Sequence, residues 1–393
     1  MKLSQRAQQV EPFHAMAFAA RAAKAQAQGH HVINLSLGQP DFGAPRPVLA
    51  AMAEAMDGRP LPYTAALGMP ELQQAIATFY RDRHGVEIDP RRIAITAGAS
   101  AALLLVLAAT TDTGDEVILA DPSYPCNRQL IAGFGGQVVH APTTAETRFQ
   151  LDAALVEQAW SERTNAVMVA TPSNPTGTSI PDRELAAICD LARERGAWRI
   201  VDEIYLDLAD HGDDGRAARS VLTLDREAIV ISSFSKYFGM TGWRLGWAIL
   251  PPDLVPAIER LAQNYYICAS VPAQIAAVTA FGEESLALCE ARRVELKARR
   301  ELMLDGLAEI GLPVPVAPDG AFYIYADVSG TGLDAWTFCE QALDQAHVSL
   351  TPGRDFGPAT ADTHVRLSYA PARDEIREGL RRLGAVLGCA QGR

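Results

Sequence analysis

Seven short apolar runs separated by helix-length segments set the strongest limit on how this chain can fold. The runs are Ile93–Thr96, Glu116–Leu119, Gln137–Val139, Ala166–Val169, Arg199–Val201, Ala228–Ile231 and Gly246–Leu250. Each has the length of a strand and is largely apolar without alternation, as a strand covered on both faces must be. Helical patterns lie between several of them, over residues 99–110, 124–134, 151–159 and 181–195. Buried strands alternating with helices predict an α/β fold with a mainly parallel, seven-stranded sheet. Ligands of such sheets bind beyond the carboxyl ends of the strands. The residues just after each run are therefore the place to look for chemistry.

The flanking regions read differently. Residues 11–28 carry alanines and scattered charge and suit a helix, and Val32–Leu37 is extended until Gly38-Gln39-Pro40 stops it. Residues 45–56 read as a helix with Pro47 near its start, and Leu61–Gly68 as a loop. Pro70 then opens an amphipathic helix with Leu72, Ile76, Phe79 and Tyr80 on one face. After about Gly282 comes a long charged helix over 283–310, followed by candidate strands at 314–316, 321–325, 348–350 and 364–368. This is the pattern of a smaller α+β domain. The expected division is a large domain of residues 46–282 and a discontinuous small domain of 1–45 with 283–393. A chain of 393 residues is long enough for both.

Composition excludes several classes. The formal charge of −12 argues against a nucleic-acid surface or an anionic membrane surface, which need a basic footprint. No apolar run approaches the roughly 20 residues of a membrane span, and Met1–Val10 has no signal-peptide pattern. The expected location is cytoplasmic. The six cysteines (126, 189, 268, 289, 339 and 389) form no CxxC pair, the histidines show no HExxH spacing, and no metal site is expected. His30-His31 reads as a solvated turn.

Chemistry concentrates at the predicted strand ends. Ser233-Phe234-Ser235-Lys236 follows the sixth run, and Thr241-Gly242-Trp243-Arg244-Leu245-Gly246 comes shortly after. A lysine can form a Schiff base with an aldehyde, and an arginine can hold a phosphate in a bidentate fork. Together they point to pyridoxal phosphate. That cofactor asks for further groups. Its phosphate suits a helix N-terminus such as Gly98-Ala99-Ser100, although a plain N-cap by Ser100 accounts for that segment too. Its pyridine nitrogen needs a carboxylate, for which Asp202 in Asp202-Glu203-Ile204-Tyr205 is the candidate. Tyr205 and Asn174, the latter in Ser173-Asn174-Pro175-Thr176-Gly177, can serve the ring oxygen. Tyr124 offers a flat side chain for stacking, or is a core tyrosine. Singly these signals are weak. Gly98, Tyr124, Asn174, Asp202 and Lys236 nevertheless fall at successive predicted strand ends.

On these motifs, together with Gly38-Gln39-Pro40-Asp41-Phe42 and Arg366 in Val365-Arg366-Leu367-Ser368, the chain resembles the class I/II aminotransferases of pyridoxal-phosphate fold type I over almost its full length. The resemblance implies roles by position. Lys236 would hold the cofactor and shuttle the proton, with Asp202 and Tyr205 completing the catalytic set. Gly98, Ala99, Ser100, Ser233, Ser235 and Arg244 would bind the phosphate end. Tyr124 would stack on the ring, and Asn174 and Tyr205 would bind its oxygen. Arg366 would take the substrate carboxylate, helped by Gly38 and Asn174. Tyr63 would reach the phosphate of a neighbouring subunit, so a homodimer is implied.

The substrate side chain is less sharply defined. Some aspartate-using relatives carry a lysine where this chain has Ser100, which weakens an aspartate reading. Phe13, Tyr63 and Phe322 are pocket-lining by resemblance and favour a neutral or aromatic amino donor, with 2-oxoglutarate or pyruvate as acceptor; core packing is the alternative for Phe13 and Phe322. A C–S β-lyase would use the same lysine and aspartate. A non-catalytic sensor domain is the reading furthest from these.

Overall fold

The computed structural model describes residues 2–391. Its strands are β1 (Ile33–Asn34), β2 (Ile93–Thr96), β3 (Glu116–Asp121), β4 (Gln137–Pro142), β5 (Thr164–Ala170), β6 (Trp198–Asp202), β7 (Ile229–Ser233), β8 (Gly246–Ile249), β9 (Tyr323–Asp327), β10 (Val348–Ser349), β11 (Thr351–Pro352) and β12 (His364–Ser368). The main helices are α1 (Gln5–Gln9), α2 (His14–Ala27), α3 (Arg46–Ala55), α4 (Pro70–Phe79), α5 (Ala99–Thr110), α6 (Pro125–Gly133), α7 (Ala153–Ala159), α8 (Asp182–Glu194), α9 (Val255–Tyr265), α10 (Val271–Ala277), α11 (Glu283–Glu309), α12 (Ala335–Ala346) and α13 (Arg373–Gln391).

The seven predicted central strands form one sheet in the order β2-β8-β7-β6-β5-β3-β4. All neighbours are parallel except β8, which runs antiparallel to both β2 and β7. The 12 residues 234–245 link β7 to β8 through Lys236 and Arg244 and contain only one short helical turn (Thr241–Trp243), not the helix that usually carries a parallel crossover. Strands β2, β3, β7 and β8 are buried along their whole length. β4, at one edge of the sheet, is partly exposed, whereas β2 at the other edge is buried.

Helices cover both faces because the sheet is apolar on both. α5 is apolar nearly all round, and its Ala102, Leu103, Leu105, Val106 and Leu107 are buried among sheet residues and α9. α8 is amphipathic instead. It buries Leu185, Ile188, Cys189 and Ala192 on the other face, and Asp182 and Glu184 sit at the positive end of its dipole. Trp247 of β8 is 1% exposed, and truncating such a side chain costs about 3–5 kcal/mol.

The remaining strands form smaller sheets. β11, β12 and β9 pair antiparallel, and β1 pairs parallel with β10, tying the N-terminal segment to the C-terminal third. Three expectations need correction here. The extended run 32–37 is a strand only at Ile33–Asn34. The Asn34 carboxamide oxygen accepts from the Ser36 N–H and hydroxyl at 3.1 and 2.7 Å and turns the chain. Residues 314–316 are not a strand: Pro313, Pro315 and Pro318 leave too few N–H donors for a ladder. The run 348–350 is a strand only at Val348–Ser349 (β10); Leu350 lies between it and β11, which pairs with a different neighbour. Among the described residues no helix is long and apolar enough to cross a membrane. The Cys389 side chain lies outside the described residues.

Candidate active site

β2, β3, β5, β6 and β7 run in one direction, so their carboxyl ends share one edge of the sheet. Gly98 follows β2, Tyr124 follows β3, Asn174 follows β5, Asp202 ends β6 and Lys236 follows β7. Tyr124, Asn174, Asp202 and Lys236 line one cavity of about 450 Å³. Gly38, Ala99, Ser100, Tyr205, Ser233, Ser235, Arg244, Arg366 and Phe13 line it as well. A larger cavity of about 1140 Å³, lined in part by Arg83, His84, Asp210 and His211, contains none of the predicted residues.

Arg366 sits on β12, is 3% exposed, and is held by a ring of acceptors. Its Nη1 donates to Asn174 Oδ1 at 2.8 Å, and its Nη2 to the Ser36 carbonyl at 2.8 Å and Thr351 Oγ1 at 3.2 Å. Its Nε is buried with no partner. An unpaired buried donor of this kind is costly unless an acceptor arrives, and a carboxylate is the acceptor that fits a guanidinium. The Tyr323 ring lies 4.4 Å from the Arg366 Cζ.

Lys236 Nζ donates to the Gly38 carbonyl at 2.5 Å. Burial, with Arg366 and Arg244 nearby, lowers its pKa to about 8 despite the opposing charge of Asp202. The amine is therefore far more often neutral at physiological pH than an ordinary lysine. Asp202 is buried, and burial lifts its carboxyl to about 6, while the Ile204 N–H, donating at 3.0 Å, works the other way. It is still mostly ionised at neutral pH, and a cationic ring nitrogen beside it would stabilise it further. The Tyr205 and Tyr323 hydroxyls are 2.9 Å apart.

The phosphate end of the cavity is built from backbone and small side chains. Gly98 caps α5 with φ +81°, and a Cβ there would lie 2.5 Å from Arg244 Nη2. Arg244 itself has φ 51°, a left-handed conformation uncommon for non-glycine residues. Ser233 Oγ donates to Ser235 Oγ at 2.8 Å and accepts from the Ser235 N–H at 2.9 Å. The helix N-terminus, Arg244 and the serine pair together make a cradle for a phosphate.

Two predicted residues stand apart. Tyr63 is 77% exposed and does not line this cavity. Phe322 is fully buried behind the cavity, edge-on to Tyr205 at 5.6 Å. Ala321 has φ 56° and β9 starts only at Tyr323, so the tyrosine, not the phenylalanine, enters the cavity. Tyr323 was missed by sequence reasoning. Two-residue alternation along 321–325 puts Phe322 and Tyr323 on opposite faces but does not say which face is inward. Ser36 and Thr351 were missed too, because nothing in the sequence brings them to Arg366.

These groups could hold a phosphate beside a buried amine and present a guanidinium to a carboxylate. Comparison with known proteins shows the family. The model of the aminotransferase class I and II family matches residues 30–383, and the chain belongs to that family. It is 42% identical to a valine–pyruvate aminotransferase of Mycobacterium tuberculosis over 96% of this chain and 97% of the relative. It is 34% identical to an arginine–pyruvate transaminase of Pseudomonas aeruginosa over 91% and 90%. The solved structure of the aspartate aminotransferase from Thermus thermophilus with maleate superposes with a TM-score of 0.92 at 34% identity, over 98% of this chain and 100% of that one. The protein is an aminotransferase of fold type I that depends on pyridoxal phosphate. The phosphate cradle, Asp202 and the low-pKa amine of Lys236 fit that cofactor's phosphate, ring nitrogen and aldehyde.

Proposed function

We propose that this aminotransferase moves the amino group of a neutral, apolar or aromatic L-amino acid to a monocarboxylic 2-oxo acid such as pyruvate, both substrates using one cavity in turn. The lining of the cavity carries this reading. Its cations among the described residues are Lys236, Arg244 and Arg366. Lys236 and Arg244 are committed to the cofactor, which leaves Arg366 for one carboxylate. The rest of the wall includes Phe13, Met16, Leu37, Leu103 and Ile204. Within one chain's lining a second, distal carboxylate finds no counter-charge, and burying it unpaired would cost several kcal/mol. The pyruvate-using relatives support the same acceptor class.

The roles of the residues follow from their chemistry. The cofactor supplies, when bound, an aldehyde carbon for the amine and a ring that accepts electron density. Arg366, already held by Asn174 and Ser36, fixes the substrate carboxylate and so orients the Cα–H. Lys236 Nζ is placed to take the Cα proton as general base and to hold it for return. Asp202 would keep a proton on the ring nitrogen. Tyr205 and Asn174 would donate to the ring oxygen. Ala99, Ser100, Ser233, Ser235 and Arg244 would bind the phosphate, and Tyr124 would stack on the ring.

A panel of donors and acceptors tests the substrate class. Valine, leucine and phenylalanine with pyruvate should exceed aspartate or glutamate with 2-oxoglutarate by tenfold or more in kcat/KM. Strict preference for aspartate would overturn the proposal, and release of ammonia and pyruvate from cysteine conjugates without an acceptor would identify a lyase instead.

A further inference from the structure

We infer that Asp355 is a positioning residue that sets which amino-acid side chains the enzyme accepts, by fixing the start of α2 as a wall of the substrate cavity. This rests on the neutral-donor reading above. α2 lacks a side-chain cap of its own: its N-cap is Phe13, which has no acceptor to offer. The acceptor comes from more than 300 residues away. Asp355, 1% exposed, accepts from the His14 N–H at 2.8 Å with Oδ1 and from the Ala15 N–H at 2.7 Å with Oδ2. A carboxylate at a helix N-terminus satisfies otherwise unpaired donors and meets the positive end of the dipole. Both oxygens are used, so the clamp fixes direction as well as distance.

The clamped turn of the helix carries the wall. Phe13, Ala15, Met16 and Ala19 line the cavity. Met16 is 65% exposed, so packing alone does not hold it. The same short segment also touches the rest of the site. Arg128 Nη1, on α6 just beyond Tyr124, donates to the Asp355 carbonyl at 2.8 Å, and the Ser123 N–H donates to the Phe356 carbonyl at 2.8 Å. The Phe356 ring lies 5.2 Å from the Arg366 guanidinium carbon. Asp355 therefore references the side-chain wall to the ring-stacking residue and to the carboxylate fork at once. The Asp355 side chain lines no part of the cavity itself.

Asp355→Asn keeps the size of the side chain and one acceptor oxygen but loses the second acceptor and the charge. In the holoenzyme it should lower the ratio of kcat/KM for phenylalanine or valine to that for alanine about tenfold. The change should appear in KM rather than kcat, with the cofactor absorbance intact. Hydrogen exchange of the His14 and Ala15 amides should speed up. Met16→Ala, which alters the wall and spares the clamp, should move the same ratio without changing those amides. An unchanged ratio despite faster exchange would overturn the inference, and so would a parallel loss for every donor with loss of bound cofactor. Failure of the neutral-donor reading would look different, since the wild-type enzyme itself would then prefer dicarboxylic donors.

Discussion

Lys236 and Arg366 show how position changes the chemistry of a residue. The lysine amine titrates near 8 because burial and two guanidinium groups disfavour its charged form. Cofactor-free protein should therefore capture pyridoxal phosphate at a rate that rises with pH through a midpoint near 8, since the neutral amine is the nucleophile. Following visible absorbance after mixing measures this, and a midpoint near the ordinary 10.5 would contradict the assigned environment. Lys236→Ala should lower turnover by at least the 10²–10⁴ that general base catalysis contributes, measured as pre-steady-state loss of the donor Cα–H. In the proposed fork, Arg366→Ala would remove the partner of the substrate carboxylate. Its kcat/KM for α-amino acids should fall by roughly two to three orders of magnitude, and unchanged values across the donor panel would refute the fork.

At the scale of elements, the phosphate cradle depends on how β2 turns into α5. Gly98 holds φ +81°, and Gly246 at the start of β8 packs so closely that a Cβ there would lie 2.8 Å from the Ala99 nitrogen. Gly98→Ala combines backbone strain of about 1–3 kcal/mol with a methyl group 2.5 Å from Arg244 Nη2. Cofactor affinity should fall tenfold or more, read by equilibrium dialysis, and melting temperature should drop as well. Wild-type affinity would show that Arg244 does not need that space. The central strands were legible in the sequence because burial on both faces writes continuous apolar runs. Even so, β7 extends through Ser232 and Ser233, beyond the apolar run, because its last residues pair with Gly246 and Trp247 of β8. The short strands around Arg366 were not legible. β1, β10 and β11 are two residues each, too short to carry a period.

For the whole molecule, stability and assembly yield further tests. Glu203 is buried next to Asp202 in the chain, accepts from Ser220 and the Val221 N–H, and burial lifts its carboxyl from 4.5 to about 7. A carboxyl raised in the folded state binds more protons folded than unfolded, so stability is lost as pH rises from about 4.5 through 7. The shift corresponds to roughly 3 kcal/mol. Glu203→Gln should flatten the fall in melting temperature between pH 5 and 8, and equal slopes for both proteins would exclude this source. We propose that residues 46–282 form one domain and 1–45 with 283–393 the other, the β1–β10 pairing supporting the discontinuous assignment. We also propose a homodimer in which Tyr63, exposed on its own chain, serves the neighbouring site. Mixed oligomers of Lys236→Ala with Tyr63→Ala should then regain activity, because one of the two sites draws both residues from intact copies. No recovery on mixing would sink that arrangement.

The sequence by itself determined the α/β class, the seven central strands and the set of groups at their carboxyl ends. Strand burial and strand-end chemistry are both local, so residues near one another in the chain report them. Only the tertiary structure decided that Tyr323 and not Phe322 enters the cavity, that Ser36, Asn174 and Thr351 hold Arg366, and that Asp355 caps a helix in the N-terminal segment. Each of those depends on which face of a short strand turns inward or on partners far apart in the chain, and neither leaves a periodic trace.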